Sequence, residues 1–531
     1  MARKFAPVLT RRRFLASSTI ALTTANLLPC AASAQTAATP AAAAKFRRWK
    51  ITDPAMPPRV LDSYKKGIRA MLNLPPTDPR NWYRNAFTHI FDCPHGNWWF
   101  LVWHRGYLGW LEQTLRSLSG DPEFALPYWD WTDTPRVPAA MFDDVLDPNN
   151  AGFIPSFNTF KTQFQTSVNT LFGSFSSAQK AVLSARGISG VADFMNQAQQ
   201  MFFDQPDARG LTAANPDLDP VTQTAVSSRV VTRALQTTTF AGNATGSASP
   251  GFASAKATSH NGSSRKGILE SQPHDNVHGA MGGAAGQAFM VAFLSPVDPI
   301  FFLHHGNLDR LWGVWTRQQA AAGRPTLPTG ADLAKWQKEQ FLFFSGADGK
   351  PVAKTNAGDY ADSSFFGYDY SPGFGDTGTT AAVAAASPPA PSFTARITTP
   401  TVTTGAPGQG TVQLPAAAAP AASPVAEVTL NIGPADMGRR FKVVATPSGG
   451  SPVDIGGITI FGHAHGPTTF SVAIPEDLRA TSGTKGLDIA VQPIEQATGT
   501  SPTALARSNA RLALLKQAPP VRVMSITVRA D

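Results

Sequence analysis

Cysteine is almost missing from this chain: its 531 residues include two, Cys30 and Cys93. Cys30 falls in a leader-like N-terminus, which leaves one thiol in the remainder and excludes an intrachain disulfide there. A lone thiol in an exported chain must be hidden, oxidised or used. Charge is scarce as well. Charged residues make up 15% of the sequence, below the usual quarter, while aromatics are 10% with 11 Trp. A chain of this kind can build a large buried core. The formal charge of +9 invites a nucleic-acid reading, but Arg3, Lys4, Arg11, Arg12 and Arg13 all precede residue 35, with no acid among them. What remains is modest, and no Lys/Arg stripe interleaved with aromatics runs through it, so a nucleic-acid partner is not expected. Outside the leader no apolar run is long enough to span a bilayer, so no stable membrane association is expected either. No internal repeat of fixed period is present. The length suggests two or three domains.

The N-terminus has the order of an export signal. Residues 1–34 hold a twin-arginine core (Arg11, Arg12, then Phe14 and Leu15), a short apolar stretch, and Ala32-Ser33-Ala34 as a small-residue cleavage site. A lipoprotein signal at Cys30 is the alternative, and Pro29 fits it poorly. Twin-arginine export carries folded proteins, so a periplasmic or secreted location is expected.

Residues 35–375 read as one mainly helical domain. "SYKKGIRAMLNL" has helical periodicity and ends at Pro75-Pro76, and "WHRGYLGWLEQTLRSL" is amphipathic and stopped by Gly120-Asp121-Pro122. Residues 139–260 form a long insertion, partly helical, whose Thr/Ala/Ser/Gly-rich second half is expected to loop over the surface. Residues 376–424 collapse to Ala, Pro, Thr, Gly and Ser and read as a linker. Residues 425–531 carry six short β-branched runs between turn signals, which predicts a small antiparallel β domain.

Six of the ten histidines fall into two triplets: His89, His95 and His104, then His274, His278 and His305. Three neutral imidazoles per metal, given twice, suit a coupled pair of soft-to-borderline metals and oxygen chemistry. A zinc site is the plainer alternative, but two complete triplets exceed what one zinc needs. At i, i+4 on a helix, His274 and His278 share one face, about 6 Å apart. His95 and His104 are too far apart for one helical face, so a turn must bring them together. Adjacent helical side chains diverge by about 100°, so His305 is preferred as ligand and His304 is read as a buried, hydrogen-bonded neighbour. Asp309, four residues after His305, is placed to accept its imidazole N–H.

The segment "HIFDCPHGNWWFLVWHRGYLGWLE", continuing to "DPEFALPYWDW", with Glu270-x-x-x-His274-x-x-x-His278 and "DPIFFLHHGNLDRLW", resembles the tyrosinases. The wider family includes catechol oxidases, polyphenol oxidases and molluscan haemocyanins. The resemblance covers roughly residues 50–135 and 265–316. It implies a type-3 dicopper centre in a four-helix bundle, with two copper ions as cofactor, CuA on His89, His95 and His104 and CuB on His274, His278 and His305. Dioxygen is the implied co-substrate, small phenols the implied partners. The family's spacing also supports His305 over His304. It further implies a thioether between Cys93 and His95; a small buried thiol is the bland alternative.

Glu270 matches the family's water-holding glutamate, although a helix-start carboxylate would look the same. Asp275 stands where many strong monophenol oxidisers have Asn, and a carboxylate there either polarises a water or adds unfavourable charge. Ala292 matches a position that is often a bulky gate. Tyr368 and Tyr370 resemble a structural tyrosine motif, expected near Arg47 or Arg48. The C-terminal domain resembles the β-sandwich of latent polyphenol oxidases, with Phe461 as the candidate shield and His463 and His465 as copper-loading candidates; a solvated turn without a role is the alternative. The expected activity is oxidation of phenols to o-quinones, with or without hydroxylation. A haemocyanin-like oxygen carrier is the alternative from another class.

Overall fold

The computed structural model describes residues 45–203, 208–246, 248–262, 265–283, 288–376, 392–403, 406–413, 424–462, 466–478, 486–494 and 519–529. The export signal, His463 and His465 lie outside them. Among the described residues there are eleven α-helices and a C-terminal pair of β-sheets.

Four helical segments frame the histidines. Helix α1 (Arg59–Asn73) ends where Leu74 turns extended before Pro75. Helix α2 (Trp82–Asp92) starts where the Asn81 side chain accepts the N–H groups of Tyr83 and Arg84. Helix α3 (Phe100–Ser119) ends at Gly120, whose φ of 72° gives the left-handed C-terminal cap. The insertion contributes α4 (Phe157–Ser174), α5 (Ser177–Ala185), α6 (Val191–Phe203), α7 (Pro220–Ala225) and α8 (Ser228–Leu235). A single π-turn, Glu270–His274, then leads into α9 (Asp275–Ala280). Pro273 sits inside that turn and lacks the N–H that an unbroken α-helix would use there. Helix α10 (Ile300–Ala321) carries the adjacent histidines, and α11 (Gly330–Lys338) follows.

Trp103, Trp129, Trp131, Trp312 and Trp315 are wholly buried in the helical core. Each such ring removes roughly 200 Å² from water, an upper estimate of about 5 kcal/mol of transfer free energy. That scale lets the domain hold together without a disulfide. A short parallel pair, β1 (Phe46–Arg48) with β2 (Tyr368–Tyr370), ties its two ends together.

The C-terminal sheets share one apolar core. One runs β10 (Gly466–Ala473), β7 (Val425–Ile432), β12 (Val521–Arg529), β3 (Ser392–Thr394), with β5 (Thr401–Val402) also on β12. The other runs β4 (Arg396–Thr399), β6 (Gly408–Val412), β11 (Leu487–Pro493), β8 (Arg440–Pro447), β9 (Val453–Thr459). All of these pairings are antiparallel. Strands β3 to β6 lie inside the segment expected to be a linker, which corrects that boundary. They are too short and Gly/Thr-rich to announce themselves; pairing of β3 and β5 with β12, of β6 with β11 and of β4 with β6 makes them strands.

The sheets dock onto the π-turn and α9. Lys266 N–H donates to the Thr469 carbonyl at 2.9 Å, Ser271 Oγ to the Ser471 carbonyl at 2.5 Å, and Gln272 Nε2 to the Gly457 carbonyl at 2.9 Å. Gly456 and Gly457 permit this approach, because a Cβ at either would collide with Gln272 or Asn276. Arg265 pairs with Glu427, both buried.

Candidate metal centre

The first triplet is built from α2, the following turn and α3. His89 lies on α2, His104 on the first turns of α3, and His95 on the loop between them. Asn97 shapes that loop: its Nδ2 donates to the Gly262 and His260 carbonyls at 2.6 and 3.1 Å, and its Oδ1 accepts Trp99 N–H at 3.0 Å. The three ring centroids are 5.5–5.8 Å apart. In the second group, His274 and His278 lie 4.6 Å apart, and His305 lies 5.1 and 5.6 Å from them. Each group brings one ligand atom per histidine within 4.8 Å of the others, and all are buried. The groups face each other: the His104 and His305 rings stack at 4.1 Å with planes 8° apart.

The outer nitrogens are anchored. His89 Nδ1 bonds the Phe293 carbonyl at 2.9 Å, His104 Nδ1 the Phe100 carbonyl at 2.7 Å, and His278 Nδ1 the Met290 carbonyl at 2.6 Å. His274 Nδ1 bonds Asp275 Oδ1 at 2.9 Å. A carbonyl or carboxylate on Nδ1 fixes the tautomer and leaves Nε2 as the donor to a metal. The Nε2 atoms of His89, His104 and His274 are buried with no hydrogen-bond partner in the protein, which is what a metal-ligating set requires and an ordinary core would not tolerate. Burial, reinforced by neighbouring imidazoles, pushes these histidines far below their usual pKa; His104 and His278 reach about 3. Neutral imidazoles are the ligating form.

Three expectations need correction. His304 is buried, but neither ring nitrogen has a normal hydrogen bond. It joins the second histidine group, stacking on His274 at 5.6 Å with Trp131 behind it. Asp309 does not bond His305. Two guanidiniums and two phenols claim it instead: Arg105 Nε at 2.6 Å, Arg48 Nη1 at 3.3 Å, and the hydroxyls of Tyr368 and Tyr370 at 2.5 and 2.7 Å. Full charges outcompete a neutral imidazole for a buried carboxylate. Ala292 is buried, and the next residue, Phe293, presents its ring at 6.3 Å from His89 and 6.5 Å from His95. Finally, the second half of the insertion is not all surface, since Phe252, Ala253, Ser254 and Ala255 are buried.

Ser254 is one residue the sequence reading missed. It holds φ at 69°, rare for a non-glycine residue, and donates its hydroxyl to Glu270 Oε2 at 2.6 Å. Gly96 N–H donates to Glu270 Oε1 at 2.5 Å. Burial raises the Glu270 carboxyl. Lys266 was missed too. Its buried ammonium donates to Asp275 Oδ2 at 2.7 Å and lies 3.8 Å from Glu270 Oε1. Burial and the Glu270 charge still lift Asp275 to about 8, against the opposing pull of Lys266. The only early signal for Lys266 was its place four residues before Glu270.

Cys93 is buried with Sγ 3.5 Å from His95 Nδ1, and burial pushes its thiol up to about 12. Phe461, on the connection from β9 to β10, lies over the second group, its ring 4.0 Å from that of His278 and 5.5 Å from His274.

This geometry, two facing sets of anchored imidazoles on a helical frame, defines a dinuclear metal protein of the type-3 copper class. The family model described as the common central domain of tyrosinase matches residues 67–318, and that region is a tyrosinase-type domain of the type-3 copper class. It is 27% identical over 327 residues to polyphenol oxidase II of Ipomoea batatas, covering 58% of this chain and 46% of that one. It is 27% identical over 355 residues to tyrosinase HcTyr1 of Hahella sp. (strain CCB-MM4), covering 61% and 63%. The matched regions thus span about half to two thirds of these relatives. In fold, it is similar to a latent apple tyrosinase (TM-score 0.52, 19% identity, 92% of this chain and 98% of that one). A latent aurone synthase is similarly related (TM-score 0.52, 17% identity, 92% and 90%). No helix among the described residues is long and apolar enough to cross a membrane.

Proposed function

We propose that the chain oxidises phenols with dioxygen at two copper ions, one on His89, His95 and His104 and the other on His274, His278 and His305. The observation that carries this reading is the set of buried Nε2 atoms converging from rings whose Nδ1 atoms are anchored. Copper bound there supplies redox equivalents and Lewis acidity. The chain's residues do the rest. The Nδ1 anchors hold the rings of His89, His104, His274 and His278 in orientation. Phe293 walls the entrance and keeps water out. A phenol must lose a proton from a pKa near 10. Asp275, which accepts from His274 Nδ1 and from Lys266 Nζ, is the carboxylate proposed to take that proton or to polarise a water that does. Glu270, with both oxygens taken by Gly96 and Ser254, braces the first loop against the second helix.

The resting chain is proposed to be latent, because Phe461 covers the face of His278 that a phenol ring would use. Oxygen uptake with tyrosine and with L-DOPA, before and after displacement of the C-terminal domain, tests both points. Turnover of both after displacement, with a lag on tyrosine, supports a hydroxylating enzyme. Oxidation of L-DOPA alone supports a catechol oxidase, the second reading, which Asp275 in place of Asn favours. Reversible oxygen binding without turnover would overturn catalysis.

Two further proposals rest on the same chain. Cys93 and His95 form a thioether, which a peptide lighter by two hydrogen atoms would reveal. Residues 1–34 direct twin-arginine export, which the N-terminus of protein recovered outside the cytoplasm would test.

A further inference from the structure

Phe461 is held at two ends. Its ring lies on His278 at 4.0 Å and stands 6.1 Å from Phe293. Its own carbonyl accepts from Lys266 Nζ at 2.7 Å. The next residue, Gly462, has φ of 104°, and a Cβ there would come within 2.6 Å of His95 Cβ. The backbone at this point therefore runs hard against the first histidine group as well.

Lys266 is fully buried. An ammonium has three donors and no acceptor, and a buried one needs partners. Asp275 takes one donor, and the Phe461 carbonyl takes another. When the Phe461 loop leaves, that second donor faces the opened mouth of the site. Phe461 also shows which molecule could replace it. It is a phenyl ring joined through two carbons to an acyl oxygen, and that frame spans the distance from His278 to Lys266.

We propose that Lys266 is a specificity residue that hydrogen-bonds the acyl oxygen of a phenol bearing a three-carbon side chain, its ring taking the place of the Phe461 ring over His278. The shared chemistry is an acyl oxygen acceptor, carried either by a free carboxylate or by an amide. The inference takes the site from the phenol-oxidising reading above, but its binding step stands without turnover.

The test uses the full-length, copper-loaded chain with Phe461→Gly, which with Gly462 leaves two successive glycines and no ring to hold the carbonyl in place. Calorimetric titration compares three non-phenolic probes: 3-phenylpropionate, 3-phenylpropionamide and 2-phenylethylamine. Tighter binding of the first or second than of the amine, by about tenfold, is expected from one hydrogen bond to a charged donor. Preference for the carboxylate or for the amide names the source. Adding Lys266→Met should abolish the preference. If that variant does not fold, the ranking of probes on Phe461→Gly alone decides. Equal binding of all three, or a preference that survives in the Lys266→Met protein, would overturn the proposal. Oxygen uptake with 4-methylcatechol runs in parallel. If it is absent while the Lys266-dependent preference persists, the phenol-oxidising reading falls and the subsite stands.

Discussion

The ring of Phe461 lies nearly flat on the imidazole of His278, centroids 4.0 Å apart and planes inclined by 22°. One side chain of the β domain thus shares a packed layer with a histidine of the helical domain. Stability and access are coupled through it. Phe461→Gly should lower unfolding stability by about 3–5 kcal/mol, the cost of deleting a buried aromatic. The same change should raise oxygen uptake with 4-methylcatechol by about tenfold or more, because a site covered most of the time is competent only for the remaining fraction. Denaturant unfolding and an oxygen electrode check the two halves. A drop in stability with an unchanged rate would remove Phe461 from any gating role.

Ser254 places a strained backbone beneath Glu270. Ser254→Ala deletes the hydroxyl that serves Glu270 Oε2 and Gly267 N–H and should destabilise by about 1–3 kcal/mol. Ser254→Gly loses the same bonds but relieves the positive φ, so it should be the milder change by about 1 kcal/mol. Urea unfolding of both variants gives the order. An alanine variant as stable as the glycine one would mean that the backbone there carries no strain.

Asp309 serves the core more than the histidines. Asp309→Asn leaves the buried guanidiniums of Arg48 and Arg105 short of a counter-charge and should cost about 3–5 kcal/mol. Copper content at a temperature where the variant is folded should stay at the parent value, since His305 does not bond this carboxylate. Selective loss of one copper would restore Asp309 as the orienting partner of His305.

His260 gives a pH signature away from the histidine triplets. Burial lowers its pKa, but Asp92 at 3.0 Å and Glu339 at 2.7 Å more than offset that and leave it above the ordinary 6.5. A group whose folded pKa is raised adds stability that is complete below the unfolded value and is lost as pH rises through the folded one. Parent stability should therefore gain a falling component above about pH 6.5. His260→Gln should lose that component, as thermal unfolding from pH 5.5 to 8.5 would show. Identical pH profiles would refute the charge on His260.

Much of this was readable from residue order, for physical reasons. The ligand-bearing helices keep a long apolar periodicity, histidine spacing transfers directly to a helix face, and β7 to β12 are β-branched runs with clear turns. What was not readable depended on partners distant in sequence. Strands β3 and β5 exist because β12 pairs with them, and β6, which in turn holds β4, because β11 does. Asp309 is claimed by Arg48, which lies 261 residues away. Lys266 gains its meaning from the Phe461 carbonyl, 195 residues on.

Metal content of the copper-loaded full-length chain, beside His89→Ala and His305→Ala, tests the dinuclear site most directly. Two coppers per chain are expected in the parent, with one weakened site in each variant, because His89 and His305 belong to different groups. One zinc per chain, or copper binding untouched by both substitutions, would contradict it.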